Sequence, residues 1–173
     1  SFDAVSTLAH ELGHGYHNLC LEHRPPTIAG TPMTLAETAS IFCETIITNA
    51  ALDGAPADEQ LSILEASLQG QCQVVVDISS RFLFEQSVLE QRKMRELSVD
   101  ELCGIMAKAQ DDTYGDGLSE HRHNYMWAVK GHYYGATYYN YPYMFGLLFG
   151  LGLYACYQKT PDTFVAGYDD LLS

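Results

Sequence analysis

The sequence predicts an all-α fold, and three observations support this prediction. Apolar residues recur at helical spacing over residues 2–22, which indicates an amphipathic helix. These residues are Val5, Leu8, Leu12, Tyr16 and Leu19. Ser98 and Glu101 form the Ser-x-x-Glu pattern of a capping box, which marks the start of a further helix. No segment alternates apolar and polar residues clearly enough to predict a strand.

Prolines and glycines set the boundaries of the other elements. Residues 23–33 carry three prolines and a glycine, which predicts a loop before a second helix over residues 34–52. The sequence Asp-Gly-Ala-Pro at residues 53–56 ends that helix. A long helical region is predicted over residues 58–95 with a break near Gly70, and a short helix from Ser98 to Gln110. Residues 111–124 form a polar, turn-rich segment. A tyrosine-rich loop then extends to Tyr141, and an apolar helix follows with Pro142 in its first turn.

Length and composition restrict the class of protein. The 173 residues suit one domain over residues 1–173, and the net charge of −13 disfavours nucleic acid as a partner because it repels phosphate. No apolar run reaches the roughly 18 residues that a membrane span needs, so we expect no membrane partner. Five widely spaced cysteines predict reduced, mostly buried thiols and a cytoplasmic protein. The chain begins at Ser1 directly in a helical pattern, so we expect a piece of a longer protein.

The stretch 5-VSTLAHELGHGYHNLC-20 contains the pattern HExxH. His10 and His14 lie four residues apart on the predicted helix, so both imidazoles face the same side and can bind one zinc ion. Glu11 lies on a neighbouring part of that face, where it can act as the general base toward a water that the metal activates. Gly13 costs roughly 1 kcal/mol relative to Ala in a helix, which predicts that another backbone approaches closely there.

A catalytic zinc site usually has a third protein ligand and one open position. Glu37 and Glu44, in 35-LAETASIFCETI-46, lie seven residues apart and therefore on one face of the predicted second helix. Carboxylates among apolar neighbours are costly unless they are paired or bound to a metal. One of them can be the third ligand, and the other can accept the free ring N–H of a ligand histidine.

The order HELGHGYH, loop, AETASIFCE resembles the thimet oligopeptidase and oligoendopeptidase F family of zinc metallopeptidases. The resemblance implies a multi-helix, zincin-like catalytic domain in which the HExxH helix packs against a second ligand-bearing helix. It implies one Zn²⁺ per chain held by His10, His14 and Glu37, with Glu11 as the general base and Glu44 beside a ligand histidine. Family members are much longer, which implies that an N-terminal helical part and the extreme C-terminus lie outside this chain.

A second resemblance concerns 132-HYYGATYYNYPYMFG-146, which is similar to a histidine- and tyrosine-rich loop of the same family. In relatives, side chains of this loop reach the scissile carbonyl, and a neutral imidazole or phenol can stabilise an oxyanion there. The resemblance implies this role for His132 together with Tyr138 and Tyr141. Tyr134 and Tyr139 are further candidates.

The resemblance therefore implies a zinc-dependent endopeptidase that hydrolyses short oligopeptides, with short peptides and the absent N-terminal part of the parent chain as its partners. One alternative is a zinc metallocarboxypeptidase, which needs a positive group to anchor the C-terminus of its substrate. The other alternative is a catalytically inert, zinc-binding helical fragment. An exposed apolar face would indicate the fragment, and we expect such a face on residues 143–157.

Overall fold

The computed structural model describes residues 2–27, 29–118 and 122–173. These residues form α-helices, and no strand occurs among them, which confirms the predicted all-α fold. The helices are α1 (Phe2–Cys20), α2 (Thr38–Gly54), α3 (Ala57–Cys72), α4 (Ile78–Arg92), α5 (Val99–Tyr114), α6 (Met126–Val129), α7 (His132–Gly135), α8 (Tyr141–Lys159) and α9 (Pro161–Leu172).

Three predicted boundaries were wrong. The second helix begins at Thr38 rather than at residue 34, because Met33–Leu35 forms a separate 3₁₀ turn. The break expected near Gly70 lies at Gln73–Asp77, where a π-helical turn joins α3 to α4. The helix α5 continues to Tyr114, so the first part of the predicted segment 111–124 is helical, and residues 119–121 lie outside the described ranges.

The tyrosine-rich segment is also more helical than predicted. The short helix α7 forms within it, and Tyr141 is the first residue of α8 rather than the end of a loop. Pro142 lies in the first turn of α8 as predicted, where its missing N–H breaks no helical hydrogen bond. The turn between α7 and α8 contains Tyr138, whose backbone φ of 58° is in the left-handed region.

The chain divides into two compact units, which we describe separately. Unit 1 comprises Ser1–Gln71 and Phe145–Ser173, and in it α1 packs mainly against α2. Its apolar core is aromatic, and Phe42 lies 4.8 Å from Tyr168 between ring centroids. The core residues are Ala39, Phe42, Tyr168 and Leu172.

Unit 2 comprises Cys72–Met144, and in it α4 packs against α5. Phe84, Met106 and Ala109 form its buried core. The predicted capping box at the start of α5 is confirmed, since the Ser98 hydroxyl accepts from the Glu101 N–H and the Glu101 carboxylate accepts from the Ser98 N–H at 2.9 Å.

The buried residues of α1 are not the large apolar ones that the helical spacing picked out. Ala9, Gly13 and His17 are its buried residues. The large apolar residues at helical spacing are exposed, and Leu12 is 63% exposed.

The predicted exposed face on residues 143–157 is present on α8. Its exposed apolar side chains are Phe145, Leu148 and Leu151.

The five cysteines are free thiols, but they are half-buried or exposed rather than mostly buried. In the ranges that the structure describes, none of the helices has both the length and the apolar character to cross a bilayer.

Gly13 allows α1 to approach α2 closely, as the sequence predicted. A Cβ atom at this position would lie 2.5 Å from the Ala39 carbonyl oxygen and 2.5 Å from the Ser40 Cα. Both neighbours are backbone atoms, which cannot move aside as the end of a flexible side chain can. The contact therefore requires glycine.

We predict opposite effects of two Gly→Ala substitutions on α1. Gly13→Ala should lower the free energy of unfolding by about 1–3 kcal/mol, because the added methyl group forces the two helices apart. Gly15→Ala, which has no neighbour within 4 Å, should raise it by roughly 0.5–1 kcal/mol through the lower conformational entropy of the unfolded chain. Urea unfolding of both variants measures this difference, and equal midpoints would contradict the prediction.

Candidate metal centre

Two neighbouring helices of unit 1 place the predicted ligands. His10 and His14 lie on one side of α1, one turn apart. Glu37 is the residue immediately before α2 rather than a residue within it, and its side chain is buried with 6% exposure. The 3₁₀ turn before α2 thus delivers Glu37 to the face of α1 that bears the histidines.

The three side chains converge with distances that suit one metal ion. The Nε2 atoms of His10 and His14 are 3.1 Å apart. The Oε2 atom of Glu37 lies 3.3 Å from the His10 Nε2 and 3.6 Å from the His14 Nε2. Ligands bound at about 2.0–2.1 Å in a tetrahedral zinc site are separated by about 3.4 Å. The three atoms therefore fit one face of such a tetrahedron, with a fourth position left for water or substrate.

Glu44 fixes the orientation of the His10 ring. Its Oε1 lies 2.6 Å from the His10 Nδ1, on the side of the ring opposite to Glu37. An ionised carboxylate can only accept a hydrogen bond, so Nδ1 carries the hydrogen. In the neutral ring this leaves the lone pair of Nε2 directed toward Glu37 and His14, as a metal ligand requires. The two glutamates of the second motif thus contact the same imidazole from opposite sides.

Ser40 holds the carboxylate of Glu37, a role that sequence reasoning missed. Its hydroxyl lies 3.0 Å from the Glu37 Oε2 and 3.0 Å from the Glu37 carbonyl oxygen. Ser40 is completely buried, so solvent does not compete for this contact. Its position three residues after Glu37, one helical turn on, is the signal that could have identified it.

Gly146 on α8 was also missed, although it contacts the third predicted ligand. A Cβ at Gly146 would lie 2.7 Å from the Glu37 Cβ and 3.1 Å from the Glu37 carbonyl oxygen. Gly150, one turn later, packs in the same way against the backbone of Phe42. Two glycines four residues apart in an apolar helix are the sequence signal of such a close approach.

The site concentrates negative charge around the histidines. Hydrogen bonds to Glu37 and then to Glu44 raise the pKa of His10 to about 10. Burial by itself would raise the pKa of Glu37, but the hydrogen bonds from His10 and Ser40 bring it below its usual value. The pair of carboxylates therefore favours a cation at this position, whether a proton on His10 or a metal ion between the ligands.

The residue predicted as the general base lies beside this group. Glu11 follows His10 on α1 and is exposed. Its side chain is therefore accessible to water, whereas Glu37, the predicted third ligand, is buried.

The predicted oxyanion-stabilising residues all belong to unit 2. His132 stacks on Tyr139 at 5.5 Å between ring centroids, and its buried Nδ1 has no partner among the described residues. Burial, followed by the charges of Arg81 and Lys130, lowers the pKa of His132, which favours the neutral ring. A neutral imidazole with an uncommitted nitrogen retains the capacity to donate a hydrogen bond.

The tyrosines of this segment have different surroundings. Tyr134 donates its hydroxyl to the Trp127 carbonyl oxygen at 2.9 Å, so its phenol is already engaged. Tyr138 packs against Phe82, and its backbone N–H donates to Glu85 Oε1 at 2.7 Å. Tyr138 and Tyr141 both line one cavity of unit 2.

Comparison with known proteins gave one match. The sequence profile of peptidase family M3 matches residues 1–171. A search of curated proteins and a search of solved structures returned no match.

We predict that Glu44→Gln weakens zinc binding about 10- to 100-fold, because a neutral amide orients and polarises the His10 ring less well than a carboxylate. Competition with a chromogenic chelator measures the affinity. Glu22→Gln, the same change at an exposed position just after α1, is the matched control and should bind zinc like the unmodified chain. Equal affinities for the two variants would contradict the role of Glu44.

We predict that Gly146→Ala weakens zinc binding at least about tenfold, because the added methyl group displaces Glu37 from its position beside the histidines. Gly152→Ala is the matched control on the same helix, since no atom lies within 4 Å of a Cβ there. The same chelator competition applies, and circular dichroism checks that both variants remain helical. The prediction fails if Gly146→Ala retains the affinity of Gly152→Ala.

Proposed function

This chain belongs to peptidase family M3 and is a metallopeptidase, and we propose that it is a zinc-dependent endopeptidase that hydrolyses short oligopeptides. The observation that carries the proposal is the convergence of the His10, His14 and Glu37 donor atoms, which all lie within 4.8 Å of one another. Two imidazoles and one carboxylate with an open fourth position are a ligand set typical of catalytic zinc in peptidases.

The proposal assigns the metal to His10, His14 and Glu37, with Glu44 and Ser40 holding His10 and Glu37 in place. When bound, zinc supplies Lewis acidity that polarises the peptide carbonyl and lowers the pKa of a water molecule. The Glu37 carboxylate and the His10 ring are suited to this, because hydrogen bonds with Ser40 and Glu44 hold them in place.

Glu11 is the proposed general base. It accepts the proton of the attacking water and later delivers it to the leaving amine, so that no net proton is gained or lost at the enzyme. Its exposure supports this role, because a base must be accessible to both water and substrate. Glu11 is also the residue next to His10, so the same helix positions the proposed base and the proposed ligand.

His132, Tyr138 and Tyr141 are the proposed donors to the tetrahedral oxyanion. The lowered pKa of His132 supports its part, since a neutral ring donates without adding a full charge. Tyr134 is left out of this set because its hydroxyl already donates to the Trp127 carbonyl oxygen.

A second candidate function is that of a zinc-binding fragment without activity of its own. The exposed apolar residues of α1 favour it, because contiguous apolar surface of this kind marks an interface. We propose that the missing N-terminal part of a longer parent chain covers this face. A cytoplasmic location completes the proposal, in keeping with five free thiols.

We predict that Glu11→Gln retains zinc but cleaves an internally quenched peptide about 10²–10⁴-fold more slowly, because it removes the base and leaves the ligands intact. This peptide is blocked at both ends, and a second peptide with a free C-terminus is tested beside it. Cleavage of the blocked peptide identifies an endopeptidase. Cleavage of only the peptide with a free C-terminus identifies a carboxypeptidase. Zinc content is measured on the same preparation.

Glu22→Gln is the control and should cleave at the unmodified rate. If the unmodified chain binds zinc and cleaves neither peptide, the inert fragment is the correct description. If Glu11→Gln cleaves normally, the assignment of the base is wrong.

A further inference from the structure

We propose that unit 2 contains a subsite for one large apolar side chain, aromatic or branched aliphatic, of the peptide substrate. The inference rests on the proposed peptidase function and adds to it a substrate class. It is carried by a cavity of about 490 Å³ that lies entirely within residues 72–144. Its lining residues are Ile78, Ser79, Phe82, Tyr138, Tyr141 and Met144.

The chemistry of the lining selects the ligand. None of the lining residues carries a charge, and aromatic rings, an isoleucine and a methionine supply most of the wall. Its volume falls within the roughly 300–1,000 Å³ that is usual for small-molecule sites, so one large side chain fits with part of its backbone. A charged side chain would lose its hydration here without gaining an opposite charge, since none of the lining residues is charged.

One wall of the cavity is held in a conformation that costs energy. Tyr138 has φ 58°, which is unfavourable for a residue with a large side chain. The buried Glu85 stabilises this turn by accepting from the Tyr138 N–H at 2.7 Å and from the Asn140 side chain at 3.5 Å. Asn140 is itself completely buried. Backbone strain that surrounding structure maintains is found preferentially at functional sites.

The consequence of this turn is the position of the Tyr138 ring. The ring packs against Phe82 at 5.6 Å between centroids, and the two rings face the cavity together. Elsewhere in the lining, the Ser79 hydroxyl lies 3.7 Å from the Met144 sulfur. The cavity is therefore preformed, with a rigid aromatic wall and a flexible methionine that can adapt to side chains of different shape.

The direct test measures binding of N-acetyl-phenylalaninamide by NMR titration, which requires neither metal nor cleavage. Ser79→Leu fills the cavity and should weaken binding at least about tenfold. Ser87→Leu, the same change two turns later on α4 and outside the lining, is the matched control and should bind normally. Failure of the unmodified chain to bind, or equal binding by Ser79→Leu, would overturn the subsite.

A second variant changes the cavity in the other direction. Met144→Ala enlarges it and should shift the preference from N-acetyl-phenylalaninamide toward the bulkier N-acetyl-tryptophanamide. This outcome is independent of any loss of stability in Ser79→Leu, and circular dichroism checks both variants. An unchanged preference in Met144→Ala would also overturn the proposal.

The kinetic test uses blocked peptides in which one residue at a time is Phe, Leu, Ala or Glu. One position relative to the cleaved bond should favour Phe over Ala by about 10- to 100-fold in kcat/KM, and Ser79→Leu should lose most of that preference while Ser87→Leu keeps it. If no peptide is cleaved but N-acetyl-phenylalaninamide binds, the peptidase proposal fails and the apolar site stands. If peptides are cleaved without any such preference, the subsite fails and the peptidase stands.

Discussion

The close contact between α1 and α2 at Gly13 is the constraint on which the metal centre depends. The missing side chain lets the α1 backbone approach the backbone at Ala39 and Ser40. His10 and His14 lie near this contact on α1, Glu37 lies immediately before α2, and Glu44 lies on α2. The short contacts of His10 with Glu37 and Glu44 depend on this close approach of the two backbones. The packing of α1 on α2 and the geometry of the proposed metal centre therefore both require glycine at position 13.

The arrangement around the ligands shows how a helical scaffold orients a metal site. Two of the proposed ligands each have a hydrogen-bond partner, Glu44 at the Nδ1 of His10 and Ser40 at the Oε2 of Glu37. Gly146 removes the side chain that would collide with Glu37 from the third helix of the site. A site built in this way places donors within tenths of an ångström, which loops alone rarely achieve.

In unit 2, the strained backbone at Tyr138 and the packing of aromatic rings shape a cavity. The buried Glu85 holds Tyr138 in an unfavourable backbone conformation, and the tyrosine ring then forms a wall with Phe82. Burying a carboxylate is costly, and the hydrogen bonds that it accepts offset that cost. The burial of Glu85 and the strained backbone at Tyr138 both cost free energy, as is typical of functional sites.

The sequence by itself determined the helical class and the identity of the ligand candidates. The class follows from apolar spacing and capping at Ser98, and the ligand pair His10 and His14 follows from their spacing of four residues, because both depend on neighbours along one helix. Only the tertiary structure decided that α1 buries Ala9, Gly13 and His17, that Ser40 and Gly146 contact Glu37, and that Glu85 holds Tyr138. These contacts join residues of different elements or depend on backbone proximity, which local periodicity does not encode.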